Sequence, residues 1–192
     1  MKVLAILGSP HKNGATAGIA RKFSETAATC GADIQTVVLN ELQYKGCQGC
    51  YACKTTSEEC VLRDDLTPVL KAMHAADIIL FASPIFFHHV TGQFKLFLDR
   101  TYSLLTPEFI TGPKRSRLPE GKQAVFVMTQ GAPAEMFAGL FPDFLSMKEF
   151  FGFSEMHLIR GGEFQRDQDA SSRPELLAQA EELARKLVSV GR

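Results

Sequence analysis

Five short apolar runs alternate along this chain with segments of helical periodicity, and that alternation restricts the fold more than any single motif. Val3–Leu7 is an unbroken apolar run, as expected of a strand buried on both faces of a parallel sheet. Ile34–Leu39, Ile78–Ala82, Ala124–Met128 and Met156–Ile159 read as the remaining strands. Between the first two, Ile19, Phe23, Ala27 and Cys30 form one stripe of an amphipathic helix that Gly31 stops. Gln93–Leu105 offers Phe94, Phe97, Leu98 and Leu104 to a sheet. A last helix begins near Ser172, with Pro174 in its first turn, and runs to Gly191. Its apolar positions Leu176, Leu177, Ala180, Leu183, Leu187 and Val188 have helical spacing. Such alternation requires right-handed crossovers, so the expected architecture is α/β, a doubly wound five-stranded parallel sheet in a single domain. No repeat, low-complexity stretch or linker divides the 192 residues.

Composition narrows the partners. Hydrophobic residues make up 45% and charged residues 22%, ordinary for a soluble globular chain. Lysine plus arginine (21) balances aspartate plus glutamate (21), which gives no electrostatic ground for a nucleic-acid or anionic-membrane partner. The start, "MKVLAILGSP", has an apolar run too short for a secretory leader, and no run approaches the ~20 apolar residues of a membrane helix. A cytoplasmic protein is expected. There thiols stay reduced, and clustered cysteines serve metal binding or catalysis before disulfides.

"LGSPHKNGAT" follows the first strand and opens the first helix. A helix N-terminus presents unpaired N–H groups and a positive dipole end, which suits a phosphate. Ser9, Asn13 and Thr16 add donors, while Gly8 and Gly14 let backbone approach an anion. The loop matches neither G-x4-G-K-[ST] nor G-x-G-x-x-G. It lies where open α/β sheets bind ligands, beyond the carboxyl ends of strands; an ordinary βα turn is the plain alternative.

Three segments in order, "GSPHKNGAT", "ASPIFFHHVTGQFKLFLDR" and "TQGAP", resemble the flavodoxin-like NAD(P)H-dependent FMN reductase superfamily. The cysteine spacing followed by "VLRDDL" resembles the iron–sulfur flavoproteins within it. The resemblance covers essentially the whole chain, residues 1–192, as a flavodoxin-like FMN-binding domain with a cysteine-rich loop at 44–65. It implies that Ser9, His11, Asn13 and Thr16 grip the FMN phosphate; many members carry Arg where this chain has His11. It implies that Pro84, Ile85, Phe86, Phe87 and His88 cover the isoalloxazine, the aromatics acting by apolar and stacking contact. Thr129, Gln130 and Gly131 would contact the ring's other edge. Lys95, Asp99 and Arg100 match a family pattern and read first as helix and interface structure.

"YKGCQGCYACKTTSEEC", Tyr44 to Cys60, holds four of the five cysteines in C-x2-C-x2-C-x6-C spacing. The bacterial ferredoxin run, C-x2-C-x2-C-x3-C-P, is not met. By resemblance, Cys47, Cys50, Cys53 and Cys60 are candidate ligands of one [4Fe-4S] cluster. Structural zinc, a working dithiol, or plain packing of small buried hydrophobes are the competing readings. Cys30, on the helix stripe, reads as core. Pro107–Lys122 carries Lys114, Arg115 and Arg117, which either meet a nicotinamide nucleotide's phosphate or are simply hydrated.

The expected activity is an FMN-dependent oxidoreductase passing electrons between a reduced carrier such as ferredoxin, or NAD(P)H, and a small-molecule acceptor. A cluster-free NAD(P)H-dependent FMN or quinone reductase is the first alternative. A flavodoxin-like carrier is the second, and the neutral net charge argues against it. No residue reads as a nucleophile, and His74, His88 and His89 read as structural before proton donors. A homodimer or homotetramer is expected, with Phe137–Phe153 either a contact surface or a segment buried on the sheet.

Overall fold

The unbroken apolar runs become the interior strands of one sheet. The computed structural model describes residues 1–190. In chain order it forms β1 (Lys2–Leu7), α1 (Ala15–Thr29), β2 (Asp33–Val38), α2 (Ala52–Thr55), α3 (Leu66–Ala75), β3 (Ile78–Phe86), β4 (His89–Val90), α4 (Gly92–Thr101), β5 (Gln123–Thr129), α5 (Leu140–Phe144), α6 (Ser146–Phe151), β6 (Glu155–Gly161) and α7 (Pro174–Val190).

The sheet runs β2-β1-β3-β5-β6, all parallel. The three central strands are the most apolar, while the edges carry Gln35, Thr36, Glu155 and His157. That placement follows from burial, since only a central parallel strand is covered on both faces. Alternate residues feed two cores. Leu4, Ile6, Phe81, Phe126 and Met128 pack under α3 to α6, whereas Val3, Ala5, Leu80, Val125 and Val127 pack under α1 and α7. Rings dominate the first core, with Phe81 and Phe126 centred 5.0 Å apart.

The five expected parallel strands all form, but the expected count is corrected to six. β3 continues beyond Ala82 to Phe86 and folds back as the two-residue β4, pairing Ile85 with Val90 and Phe86 with His89. The connecting residues Phe87 and His88 carry positive φ, 42° and 73°, without the Asn-Gly signature that announces such turns. The final helix starts at Pro174, after a 3-10 turn at Ala170–Ser172 capped by the Asp169 carboxylate. Its expected end at Gly191 lies outside the described residues. Among the described residues no helix is long and apolar enough to cross a membrane.

Phe137–Phe153 is divided between core and surface, with apolar side chains anchoring it to the sheet and its polar positions exposed. Leu140, Phe144, Phe151 and Phe153 enter the core, and Met136 and Leu145 stay exposed.

Candidate functional site

The carboxyl ends of β1, β3, β5 and β6 open onto one cleft of about 680 Å³. Ser9, His11, Asn13, Thr16, Pro84, Ile85, Phe86, Thr129, Gln130 and Gly131 all line it, so three separate sequence segments meet in one place. Phe87 and His88 do not. They stand on the turn beyond the cleft, where Phe87 is 97% exposed and His88 packs its ring 5.0 Å from Phe137. Of the expected ring-covering segment, Pro84, Ile85 and Phe86 line the cleft, while Phe87 and His88 lie outside its lining.

The phosphate-loop wall is rigid for identifiable reasons. Ser9 is buried and its hydroxyl accepts from the His11 amide at 3.1 Å, closing a local turn. The Gly8 carbonyl accepts from the Thr91 hydroxyl (2.7 Å) and the Gln93 amide (2.8 Å), tying the loop to the start of α4. A Cβ at Gly8 would lie 2.7 Å from that of Phe94, so only glycine permits this approach. α1 then begins at Gly14 with no side-chain cap and no acidic residue in its first turn. Its N-terminal donors and positive dipole end are left for an anion. Thr16 lines the cleft, yet its hydroxyl meets Thr129 at 2.6 Å and joins the loop to β5.

On the opposite wall, Gln130 hydrogen-bonds Gly161 and Phe164 through its backbone and accepts from the Arg160 guanidinium at 3.4 Å. That ladder carries in a wall the sequence reading missed, the loop Phe164–Asp169, which also lines the cleft. Its signal was positional: it follows the carboxyl end of the fifth parallel strand.

A second cavity, of about 190 Å³, gathers the cysteine loop. Cys47, Cys50, Cys53 and Cys60 line it together with Tyr51, Arg100 and Tyr102. None is in a disulfide; Cys47 and Cys50 are exposed, Cys60 half-buried and Cys53 buried. Among the described residues, no three His, Cys, Asp or Glu side chains are placed to hold one metal ion. As placed, the four thiols form neither a zinc site nor a cluster-binding site among the described residues.

Basic side chains clamp this loop. The Lys54 ammonium donates to the carbonyls of Tyr102 (2.6 Å) and Leu105 (2.7 Å) and lies 4.1 Å from the Tyr102 ring centre. Burial pushes its pKa down. Arg117 donates to Cys53, Ser103 and Leu105 carbonyls, and Arg115 pairs with Glu149, so neither is merely hydrated. At the loop's neck the fully buried Arg100 grips Asp64 through two bonds, 2.6 and 3.1 Å. Burial works to raise the Asp64 pKa, but bonds from Arg100 and the Lys45 amide outweigh it and hold the carboxyl below its ordinary range. Cys30 is half-buried at the end of α1 against the core.

The doubly wound α/β sheet, with an uncapped helix N-terminus in the cleft beyond its strand ends, has the architecture in which such folds bind phosphate-bearing ligands. Residues 1–171 match NADPH-dependent FMN reductase, and the chain belongs to that family. An iron-sulfur flavoprotein of Methanocaldococcus jannaschii is 35% identical over 104 residues, 54% of this chain and 53% of that protein. One from Archaeoglobus fulgidus is 36% identical over 101 residues, 53% of this chain and 49% of its own length. The chain thus matches about half the length of these relatives. Among solved structures, an NAD(P)H:quinone oxidoreductase from Methanothermobacter marburgensis superposes with TM-score 0.75 at 18% identity, covering 97% of this chain and 96% of that one. An FMN-dependent NADH-azoreductase from Bacillus anthracis, in complex with FMN, gives 0.68 at 12% identity, covering 98% of each. At these identities the likeness is one of fold, which is flavodoxin-like.

Proposed function

We propose that the chain is an FMN-dependent oxidoreductase of the iron–sulfur flavoprotein type, taking electrons from NAD(P)H or a reduced carrier such as ferredoxin and passing them to a small-molecule acceptor. The observation that carries the flavin half is the convergence of three sequence segments on one cleft with an uncapped helix N-terminus and no acid in its first turn. When bound, FMN supplies hydride acceptance and one-electron release. The protein's part is positioning. The first turn of α1, with His11 and Asn13 beside it, offers donors to the phosphate. Pro84, Ile85 and the half-exposed Phe86 present an apolar edge to a flat ring. Thr129, Gln130 and Gly131 bound the opposite edge, held in place by β6.

The cluster half rests on four thiols around one cavity and on the two relatives' names. Cys47, Cys50, Cys53 and Cys60 would hold one [4Fe-4S] cluster, which supplies single-electron transfer beside the flavin. Anaerobically purified protein should then show flavin bands over broad absorption, with about four irons per chain. FMN-replete protein without iron or sulfide would falsify that half.

A cluster-free NAD(P)H-dependent FMN or quinone reductase is the second reading. It is favoured by the lack, among the described residues, of three side chains placed around one ion. Rapid bleaching of bound flavin by NADPH or NADH in iron-free protein would select it. Phe87, Met136 and Leu145, all exposed, support assembly into a homodimer or homotetramer.

A further inference from the structure

We propose that Arg166 is a specificity-determining residue of the cleft, the cation that makes it take a flavin bearing a phosphate in preference to the same flavin without one. The proposal rests on the FMN reading above. A phosphate monoester brings a charge of roughly −1.5 to −2. The N-terminus of α1 answers it with a dipole end equivalent to about half an elementary charge. The loop before α1 adds Lys12, but that ammonium is paired with the Glu41 carboxylate. Arg21 is engaged as well, donating to the Lys12 carbonyl at 3.0 Å. Arg166 lines the same cleft from its other side, and its guanidinium has no hydrogen bond or ion pair among the described residues.

The loop that carries Arg166 is fixed at both ends. The Phe164 N–H donates to the Gln130 carbonyl at 3.1 Å, which ties one end to the cleft wall. The Gln168 N–H donates to the Gln165 carbonyl (3.1 Å), and the Gln165 N–H to the Gln168 side-chain oxygen (2.9 Å). Arg166 and Asp167 are the two residues inside that turn. The far end is pinned on α1, where a Cβ at Gly18 would lie 2.6 Å from that of Ala170. Glycine one turn into the helix thus lets the loop lie against α1 close to its uncapped end. The Asp169 carboxylate is spent within its own turn, accepting from the Ser171 N–H (2.8 Å) and hydroxyl (2.6 Å). Arg166 and Asp167 are therefore the loop's uncommitted charges. A guanidinium is always charged and its fork matches phosphate oxygens, whereas a carboxylate repels them.

The test titrates flavin-free full-length chain with FMN and with riboflavin, following flavin fluorescence at low salt. Wild type, Arg166→Gln, Arg166→Lys and Asp167→Asn are compared. FMN affinity should fall about tenfold in Arg166→Gln, fall less in Arg166→Lys and rise in Asp167→Asn. Riboflavin affinity should stay at the wild-type value in all three. Added salt should narrow the FMN gap between wild type and Arg166→Gln, because the contact is exposed to solvent. An equal loss for both flavins would mean that the substitution merely loosens the loop, and overturns the proposal. Unchanged FMN affinity in Arg166→Gln, or a loss in Asp167→Asn, overturns it too. Wild type that binds neither flavin removes the FMN reading and this proposal with it; wild type that binds FMN, with variants that bind it equally well, removes the proposal alone.

Discussion

The hydroxyls of Thr16 and Thr129, separated by 113 positions, meet at 2.6 Å in a buried contact between α1 and the end of β5. Either can donate, and the pair fixes the distance between the phosphate loop and the far wall of the cleft. Thr129→Val leaves the Thr16 hydroxyl buried without its partner, at an expected cost of about 1–3 kcal/mol. Adding Thr16→Val removes the orphan, so the double variant should lose less than the two single losses together. Urea midpoints in a double-mutant cycle measure this, and additive losses would show that the two hydroxyls do not interact.

The Phe87–His88 turn stores strain, because neither residue favours positive φ. Each such residue costs about 1–3 kcal/mol. Replacing the pair by Asn-Gly should raise the thermal midpoint, since that dipeptide suits a two-residue hairpin turn. FMN affinity should stay at the wild-type value, since neither side chain lines the cleft. A weakened flavin complex would return both residues to the binding site.

Tyr44 donates to the Gln93 carbonyl at 2.6 Å, and burial followed by the nearby Asp64 charge pushes its pKa up to about 12. The folded value lies above the unfolded one of about 10. The associated stability is therefore whole below about pH 10 and lost as pH climbs toward 12. Tyr44→Phe should flatten that alkaline slope relative to wild type, while costing about 1 kcal/mol at neutral pH for the lost hydrogen bond. Denaturant midpoints from pH 8 to 12 give both quantities; identical slopes for the two proteins would refute the assignment.

Gly8→Ala forces a Cβ to 2.7 Å from that of Phe94. The loop has little freedom to yield, because its carbonyl is held by Thr91 and Gln93. FMN affinity should fall about tenfold or more, equivalent to ~1.4 kcal/mol. Fluorescence titration of the released flavin would report it.

Much of this arrangement was legible in the residues. Unbroken apolar runs marked the parallel strands because two-sided burial leaves no place for polar side chains. The meeting of the Ser9–Thr16 loop and Thr129–Gly131 at one cleft was legible because each directly follows an apolar strand run. Phe164–Asp169 was not, since "FQRDQD" carries no glycine pattern and is brought to the cleft by backbone bonds from Gln130. The turn at Phe87 and His88 was not legible, because it is built against local preference. Arg100 read as ordinary helix structure; its fork reaches Asp64, 36 positions earlier, and no local pattern announces such a partner.

The clamps on Lys54 and Cys53 come from Tyr102, Leu105 and Arg117, all later in the chain. During synthesis the thiol-bearing segment therefore leaves the ribosome well before anything exists to hold it. At ~5–20 residues per second, that interval lasts seconds, during which the sulfurs are exposed on a loose strand of nascent chain. Oxidation or capture by a stray metal is easiest then, so faithful maturation of this loop depends on how quickly the residues through Arg117 follow it out.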